Sequence, residues 1–550
     1  MPTFTTGNDT HVVDYLGTYS LSLLAGNDTL TLASGATIVA HLDDGNDLVT
    51  IGADAGPYRV YGDNGSDTFD LFSGNGSVNG GAGNNVFNIR GGTGHDLSGG
   101  AEIDTFTFFA NVEDILIRGG SGNDVLNGGN RVITGSLYGG AGSDYFLGFT
   151  TYGAVTLYGG LDNDIYRIAA NHSDVRIVEY YNQGDDLIQL PGGMDYILPA
   201  NVENLNVGNF AGSTGADAEI SGNGLANRIL GGDNAETVLG RGGDDDLRGN
   251  GGDDVLDGSA GNDSLEGGLG SDTLLGGTGN DILNGQGGLD VMIGGTGNDL
   301  YFVDDWTETV VEYAGQGTDT IRTTVTAFEL SDTVENLVYT GLSDTFLYGN
   351  PFANVITGGS GNDMIESGDG ADTVSGGAGD DLLIAGFADD VVYGGADNDE
   401  LQGNTGNDIL EGGAGVDRLI GGIGGDTLTG GGGADTFYFG TTEESPFYVF
   451  ETTYRPYDII TDFRPDGAGS ADVINIELID ANINVAGNQA FMFSGNTADA
   501  YSVWISNFQT NADGTYDLTF RADVNGDTTA EFELVVHTFD VPVMGIDFIL

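Results

Sequence analysis

The sequence predicts an all-β chain: a parallel β-solenoid of stacked coils ending in a β-rich carboxyl-terminal cap. Three observations predict it. Glycine and acid are in great excess, a nine-residue repeat holds its register over two long arrays, and a repeat of 18 to 20 residues precedes them. Glycine supplies 98 of the 550 residues and proline only 9. There are 84 acidic residues against 14 basic ones, a formal charge of −70, and every basic residue is arginine. Such a charge with few apolar residues ordinarily leaves a chain unfolded. Here 39% of residues are hydrophobic, and they recur at fixed intervals, as stacked repeats require. A compact chain this acidic repels itself unless cations neutralise it. It is therefore salt-loving or cation-binding, and the placement of the acids decides which.

The nine-residue arrays come first because their register is unbroken. Residues 240–302 divide into seven nonapeptides and residues 349–438 into ten. Two of them read Gly267-Gly-Leu-Gly-Ser-Asp272-Thr-Leu-Leu275 and Gly276-Gly-Thr-Gly-Asn-Asp281-Ile-Leu-Asn284. The pattern is GGxGxDxUx, with a large apolar residue at U, among them Leu256, Leu265, Leu274, Leu283, Leu410, Leu419 and Leu428. Glycines permit positive φ, so six residues can turn tightly with their carbonyls converging on one spot. The aspartate at position six adds a hard carboxylate oxygen, and calcium takes six to eight oxygens. The last three residues form a short strand whose U side chain points inward. Two nonapeptides make one coil, with calcium between stacked turns.

These residues resemble the RTX (repeats-in-toxin) family, bacterial calcium-binding proteins exported by type I secretion. The resemblance implies a calcium β-roll and assigns the metal role to the aspartate of each unit. In the first array these are Asp245, Asp254, Asp263, Asp272, Asp281, Asp290 and Asp299. In the second they are Asp363, Asp372, Asp381, Asp390, Asp399, Asp408, Asp417, Asp426 and Asp435. Glu236 and Asn354 stand at the ligand position of the units at 231–239 and 349–357, which are expected to be capping coils.

The amino-terminal region carries the same turn once per longer period. Its ligand positions are Asp9, Asp28, Asp47, Asp67, Asn85, Asp104, Asp124, Asp144 and Asp164. Alternating segments such as Tyr58-Arg-Val-Tyr61 and Phe106-Thr-Phe-Phe109 lie between them and read as strands. The expectation is a solenoid with calcium along one edge and an ordinary turn along the other. A reading in which many of these aspartates only cap turns stands beside it.

Two similar segments separate the arrays. Val178-Glu-Tyr180, Gln183-Gly184 and Val202-Glu-Asn-Leu205 recur as Val311-Glu-Tyr313, Gln316-Gly317 and Val334-Glu-Asn-Leu337. Each is read as a structural spacer rather than a binding site. The organisation expected is a solenoid at 1–170, a connector at 171–221, a roll at 222–302, a second connector at 303–348, a roll at 349–438 and a cap at 439–550.

At the carboxyl end, Gly432-Gly-Ala-Asp-Thr-Phe-Tyr-Phe439, Asp458-Ile-Ile-Thr-Asp-Phe463, Ala471-Asp-Val-Ile-Asn-Ile476 and Asp523-Val-Asn-Gly-Asp527 resemble the terminal domain of serralysin-type secreted metalloproteases. That resemblance implies a cap containing the export signal, with Asp547, Phe548, Ile549 and Leu550 as its acidic-then-apolar tail. Asp523, Asn525 and Asp527 alternate like a calcium loop, and a solvated turn fits them equally. The opening residues have neither a basic nor an apolar stretch, so no amino-terminal signal peptide is expected.

Several function classes are excluded or disfavoured. A chain of this charge suits no nucleic acid, whose backbone needs clustered Lys and Arg. No apolar run reaches the ~20 residues of a transmembrane helix. Cysteine is absent, so thiol chemistry and disulfides are excluded. The five histidines, His11, His41, His95, His172 and His537, form no H-E-x-x-H motif, and His41 and His95 read as surface residues. The expectation is a non-enzymatic extracellular or cell-surface scaffold that folds and self-associates on calcium. Its partners would be the type I exporter and a cell-surface polysaccharide. The alternative is a carbohydrate-binding or polysaccharide-modifying protein acting through the amino-terminal solenoid. Roughly twenty divalent ions would cancel only about half of the charge, which leaves room for calcium bridging between molecules.

Overall fold

The computed structural model describes residues 6–14, 17–35, 37–72, 75–149, 154–169, 174–208, 217–440, 458–463, 472–475, 492–493, 502–510, 516–522, 532–538 and 548–549. Among them there is no helix, and the chain forms two compact units. The first holds residues 1–296 with 309–311, and the second 297–308 with 312–550.

In the first unit, strands from successive coils pair in parallel. Thr68–Leu71 pairs with Val86–Ile89, which pairs with Thr105–Phe108. The intervening strands form a nine-stranded parallel sheet running from Thr18–Ser22 to Val175–Val178. Alternation within each short strand sends every second side chain inward. Phe87 and Ile89 are therefore fully buried, and Phe87 stacks between Phe69 and Phe106 with centroids 4.9 and 4.4 Å away. Because like residues sit one coil apart, the core is a column rather than a globule.

The predicted connector at 171–221 continues this column. Val175–Val178 extends the nine-stranded sheet, and Leu187–Pro191 pairs with both Ile165–Ile168 and Asn204–Gly208. From there the nonapeptides take over at 18 residues per coil. Leu247 faces Leu265, which faces Leu283 on one sheet, while Val238, Leu256, Leu274 and Met292 line the other. All of these inward residues are fully buried.

The second unit repeats the plan. Thr320–Thr323 pairs with Leu300–Val303 and Asn336–Tyr339, so 303–348 likewise forms coils. The nonapeptides then stack Leu383, Leu401, Leu419 and Phe437 on one sheet and Val374, Val392, Leu410 and Leu428 on the other. Beyond them the pairing changes character. Ser502–Thr510, Tyr516–Ala522 and Phe532–Thr538 form an antiparallel meander, and the last of these pairs in parallel with Asp458–Phe463. This is the β-rich cap. Of the expected export tail, Asp547 and Leu550 lie outside the described residues, as do the loop at 523–527 and His172, and Phe548–Ile549 forms a short strand.

Candidate metal centres

The glycine turns place the position-six aspartates on the inside of the bend. In the first unit one ladder comprises Asp9, Asp28, Asp47, Asp67, Asn85, Asp104, Asp124, Asp144, Asp164 and Asp186. Each backbone N–H donates to the Oδ1 of the next residue at 2.6–2.9 Å. Beyond the connector, Asn227, Asp245, Asp263 and Asp281 repeat the link at 2.7–2.8 Å. The nonapeptides add a second edge, where Glu236, Asp254, Asp272 and Asp290 are linked at 2.6–2.8 Å. So the amino-terminal coils have a single ladder and the nonapeptide coils two.

The second unit also carries both ladders. One links Asn354, Asp372, Asp390, Asp408, Asp426 and Asp458. The other links Thr345, Asp363, Asp381, Asp399, Asp417, Asp435 and Asp472. Asp299 opens this unit and donates to Asp319 Oδ1 at 2.8 Å.

One oxygen of each accepting carboxylate is thus used by the backbone. In many of them the other is buried without a hydrogen-bond partner: Oδ2 of Asp28, Asp47, Asp67, Asp104, Asp124, Asp144 and Asp164, and of Asp245, Asp254, Asp263, Asp272, Asp363, Asp372, Asp381, Asp390, Asp399, Asp408 and Asp417. A buried, unpaired anionic oxygen is costly, and here it recurs turn after turn. Burial accordingly pushes these carboxyls up, to about 7 at Asp67, Asp245, Asp254 and Asp408 and to about 6 at Asp47, Asp124 and Asp372. Neighbouring ladder carboxylates add to the upward push at Asp67 and Asp408.

Gly249 shows what the orphaned oxygens face. A Cβ built there meets Asp254 Oδ2, and the carbonyl of Gly267 lies 2.5 Å away. A carboxylate and a carbonyl from the next coil therefore converge on space that any side chain would fill. Hard anionic oxygens with peptide carbonyls are the donor set that calcium prefers, and a divalent cation supplies the missing partner. The residues present fit the ion that their sequence pattern implies.

Sequence reasoning placed the ladder aspartates but missed other members. Asp186 and Asp319 continue the ladders inside the connectors, followed by Glu203 and Glu335, whose Oε2 accepts from the Asp186 and Asp319 N–H at 3.0 and 2.7 Å. Asp458 and Asp472 extend the ladders of the second unit beyond the arrays. Glu236 and Asn354, read as edge units, occupy ladder positions, with Glu236 Oε2 accepting from Gly232 N–H at 2.9 Å. Asp9 is half-buried, more open than the members that follow it.

His95 requires a correction. It is buried, not a surface residue: Nδ1 lies 2.8 Å from the Tyr58 hydroxyl and Nε2 2.9 Å from the Gly91 carbonyl. Both ring nitrogens are thus satisfied inside the coil, and burial lowers its pKa. His41 is partly exposed, paired with Asp63 at 3.0 Å and stacked on Tyr61.

The family model described as RTX calcium-binding nonapeptide repeat (4 copies) matches residues 116–130, 230–265 and 266–301, and overlapping stretches from 339 to 441. The first of these spans Asp124 in the single-edged ladder. No curated protein matches the chain. Among the described residues, no helix is long and apolar enough to cross a membrane.

Proposed function

For this RTX calcium-binding repeat protein, we propose the role of a secreted structural scaffold that folds on extracellular calcium and then assembles through its surplus acidic surface. The observation that supports it most is the ladder of buried carboxylate oxygens lacking any partner of their own. Binding only to the folded coil, calcium stabilises it by mass action. Asp28 to Asp164 and the two nonapeptide sets would hold the ions through Oδ2, and the glycine carbonyls would complete each shell. In a calcium-poor cytosol the unpaired anions keep the chain open, a state suited to passage through a type I exporter. Once outside, folding traps the product.

Assembly draws on two further features. The charge of −70 exceeds what the ladders neutralise, so exposed acids remain for bridging ions. Apolar side chains also stand out at turn tips, Leu269 and Leu289 in the first unit and Phe387, Val416 and Ile423 in the second. No catalytic role enters this reading, in which the repeat itself is the product. Electron microscopy with and without calcium tests it. Sheets or filaments at millimolar calcium that disperse in chelator are expected; dispersed monomers under both conditions refute assembly.

A second reading, glycan binding by the amino-terminal solenoid, draws on Tyr138 and Tyr158. Their rings stack on one another at 4.4 Å, and Tyr138 is exposed, an aromatic edge with a polar tip that sugars can contact. Glycan-array binding that disappears in Tyr138→Ala would support it, and a blank array would remove it.

A further inference from the structure

Each duplicated connector delivers a glutamate into a ladder. In the first unit, Glu179 of the Val-Glu-Tyr segment lies beside Asp164 and Asp186, and one oxygen from each of the three lies within 4.8 Å of the others. In the second unit, Asp299, Glu312 and Asp319 form the same constellation from the second copy. All six side chains are buried, with Asp164 1% and Glu179 4% exposed.

The way Glu179 is held indicates a purpose beyond filling space. The Tyr166 hydroxyl donates to its Oε1, and the Gly159 N–H donates to the same oxygen at 3.1 Å. Its Oε2 remains buried with no partner, as does Oδ2 of Asp164. Tyr301 donates to Glu312 Oε1 in the second unit, so the orienting phenol is duplicated with the acid. An ordinary repeat turn supplies one carboxylate per unit; these positions gather three.

We propose that each connector copy builds a separate, tighter cation site, with Asp164, Glu179 and Asp186 holding one calcium ion and Asp299, Glu312 and Asp319 another. Affinity in oxygen-ligand sites rises with the number of charged ligands and with rigidity, and a ligand fixed by its neighbours binds more tightly. The two connector sites therefore fill before the repeat turns. Each then sets the register of the coils that meet it, which gives the connectors a role beyond spacing.

The test is a calcium titration of the full chain against a chromophoric chelator. Wild type should show two ions in a class distinctly tighter than the rest. Glu179→Gln and Glu312→Gln should each remove one, and the double variant both, whereas Asp408→Asn in a repeat turn should leave the tight class at two. Glutamine still accepts from the phenol, so a purely structural Tyr–Glu contact would move nothing. A double variant that keeps both tight ions, or a wild type with no tight class, overturns the proposal. Should the double variant fail to fold, the single variants decide: two tight ions retained in either is equally fatal. Assembly is read separately by microscopy, so the two ideas can fail independently.

Discussion

At the residue scale the governing fact is a carboxylate with one satisfied oxygen and one orphan. Asp254 is representative: Oδ1 accepts from the Glu236 N–H at 2.6 Å while Oδ2 is buried without a partner. The pH dependence follows from the direction of the shifts. Burial, and at several positions neighbouring acids, raise the folded-state values from 3.8 to about 6 at Asp272, about 7 at Asp144 and Asp399, and about 8 at Asp164. A raised value means that the calcium-free fold binds protons more tightly than the unfolded chain. Its stability is therefore greatest below about pH 4 and is lost as pH rises through about 6 to 8. Circular dichroism in chelator should show β-structure fading with rising pH across that window; β-structure gained with rising pH would contradict the account.

Glycine at a turn can be tested the same way. Gly279 has φ +129°, and a Cβ there overlaps the Gly261 carbonyl of the coil before it. Gly242 has only the Ala260 carbonyl, 3.6 Å from a Cβ. Gly279→Ala should cost on the order of 2 kcal/mol or more and Gly242→Ala less than about 0.5 kcal/mol, read as the calcium-loaded thermal midpoint. Equal costs would show that coil spacing is not held by the bare backbone.

At the scale of the element, the coil explains which parts of the fold were legible in the sequence. The nonapeptide register reads directly because 18 residues close one coil, so Leu256, Leu274 and Met292 fall on one line. The amino-terminal ladder was visible through its aspartates alone, since one turn per coil leaves the opposite edge without a motif. The connectors were harder to read. Their ladder steps of 22, 17, 20 and 16 residues break the period while their strands keep the pairing. Glu179 and Glu312 were visible as a repeated Val-Glu-Tyr, but nothing in sequence spacing placed them beside an aspartate 15 or 13 residues earlier. His95 was misread because burial of a histidine in a glycine-rich coil leaves no local trace.

A natural substitution within the ladder supplies the element-scale prediction. Asn85 stands where its neighbours have aspartate, and its Oδ1 accepts the Asp67 N–H at 2.9 Å as a carboxylate would. An amide therefore keeps the coil link while removing the charge. Asp124→Asn should hold β-structure in chelator to higher pH than wild type, yet bind less calcium at saturation. Unchanged calcium stoichiometry would show that Asp124 only caps its turn, the other reading of this ladder.

Across the whole molecule many weak events combine. Extracellular-type sites have Kd on the order of 10⁻⁴ to 10⁻³ M, and free calcium about tenfold above Kd stabilises the fold by about 1.4 kcal/mol per site. Repeat architectures couple each unit to its neighbours, so a coil that gains its ion helps the next to form. Within each unit the transition should therefore be steep in calcium. Magnesium demands tight octahedral geometry and gives up water reluctantly, so it should not substitute.

The most direct test of calcium-gated folding is circular dichroism of the full chain at pH 7.5, titrated with calcium from excess chelator. The account predicts little β-structure in chelator, a cooperative rise to the full β-signal by millimolar calcium, and no rise with magnesium. Full β-structure persisting in chelator at that pH would contradict it, because the buried carboxylates would then need no cation to be tolerated.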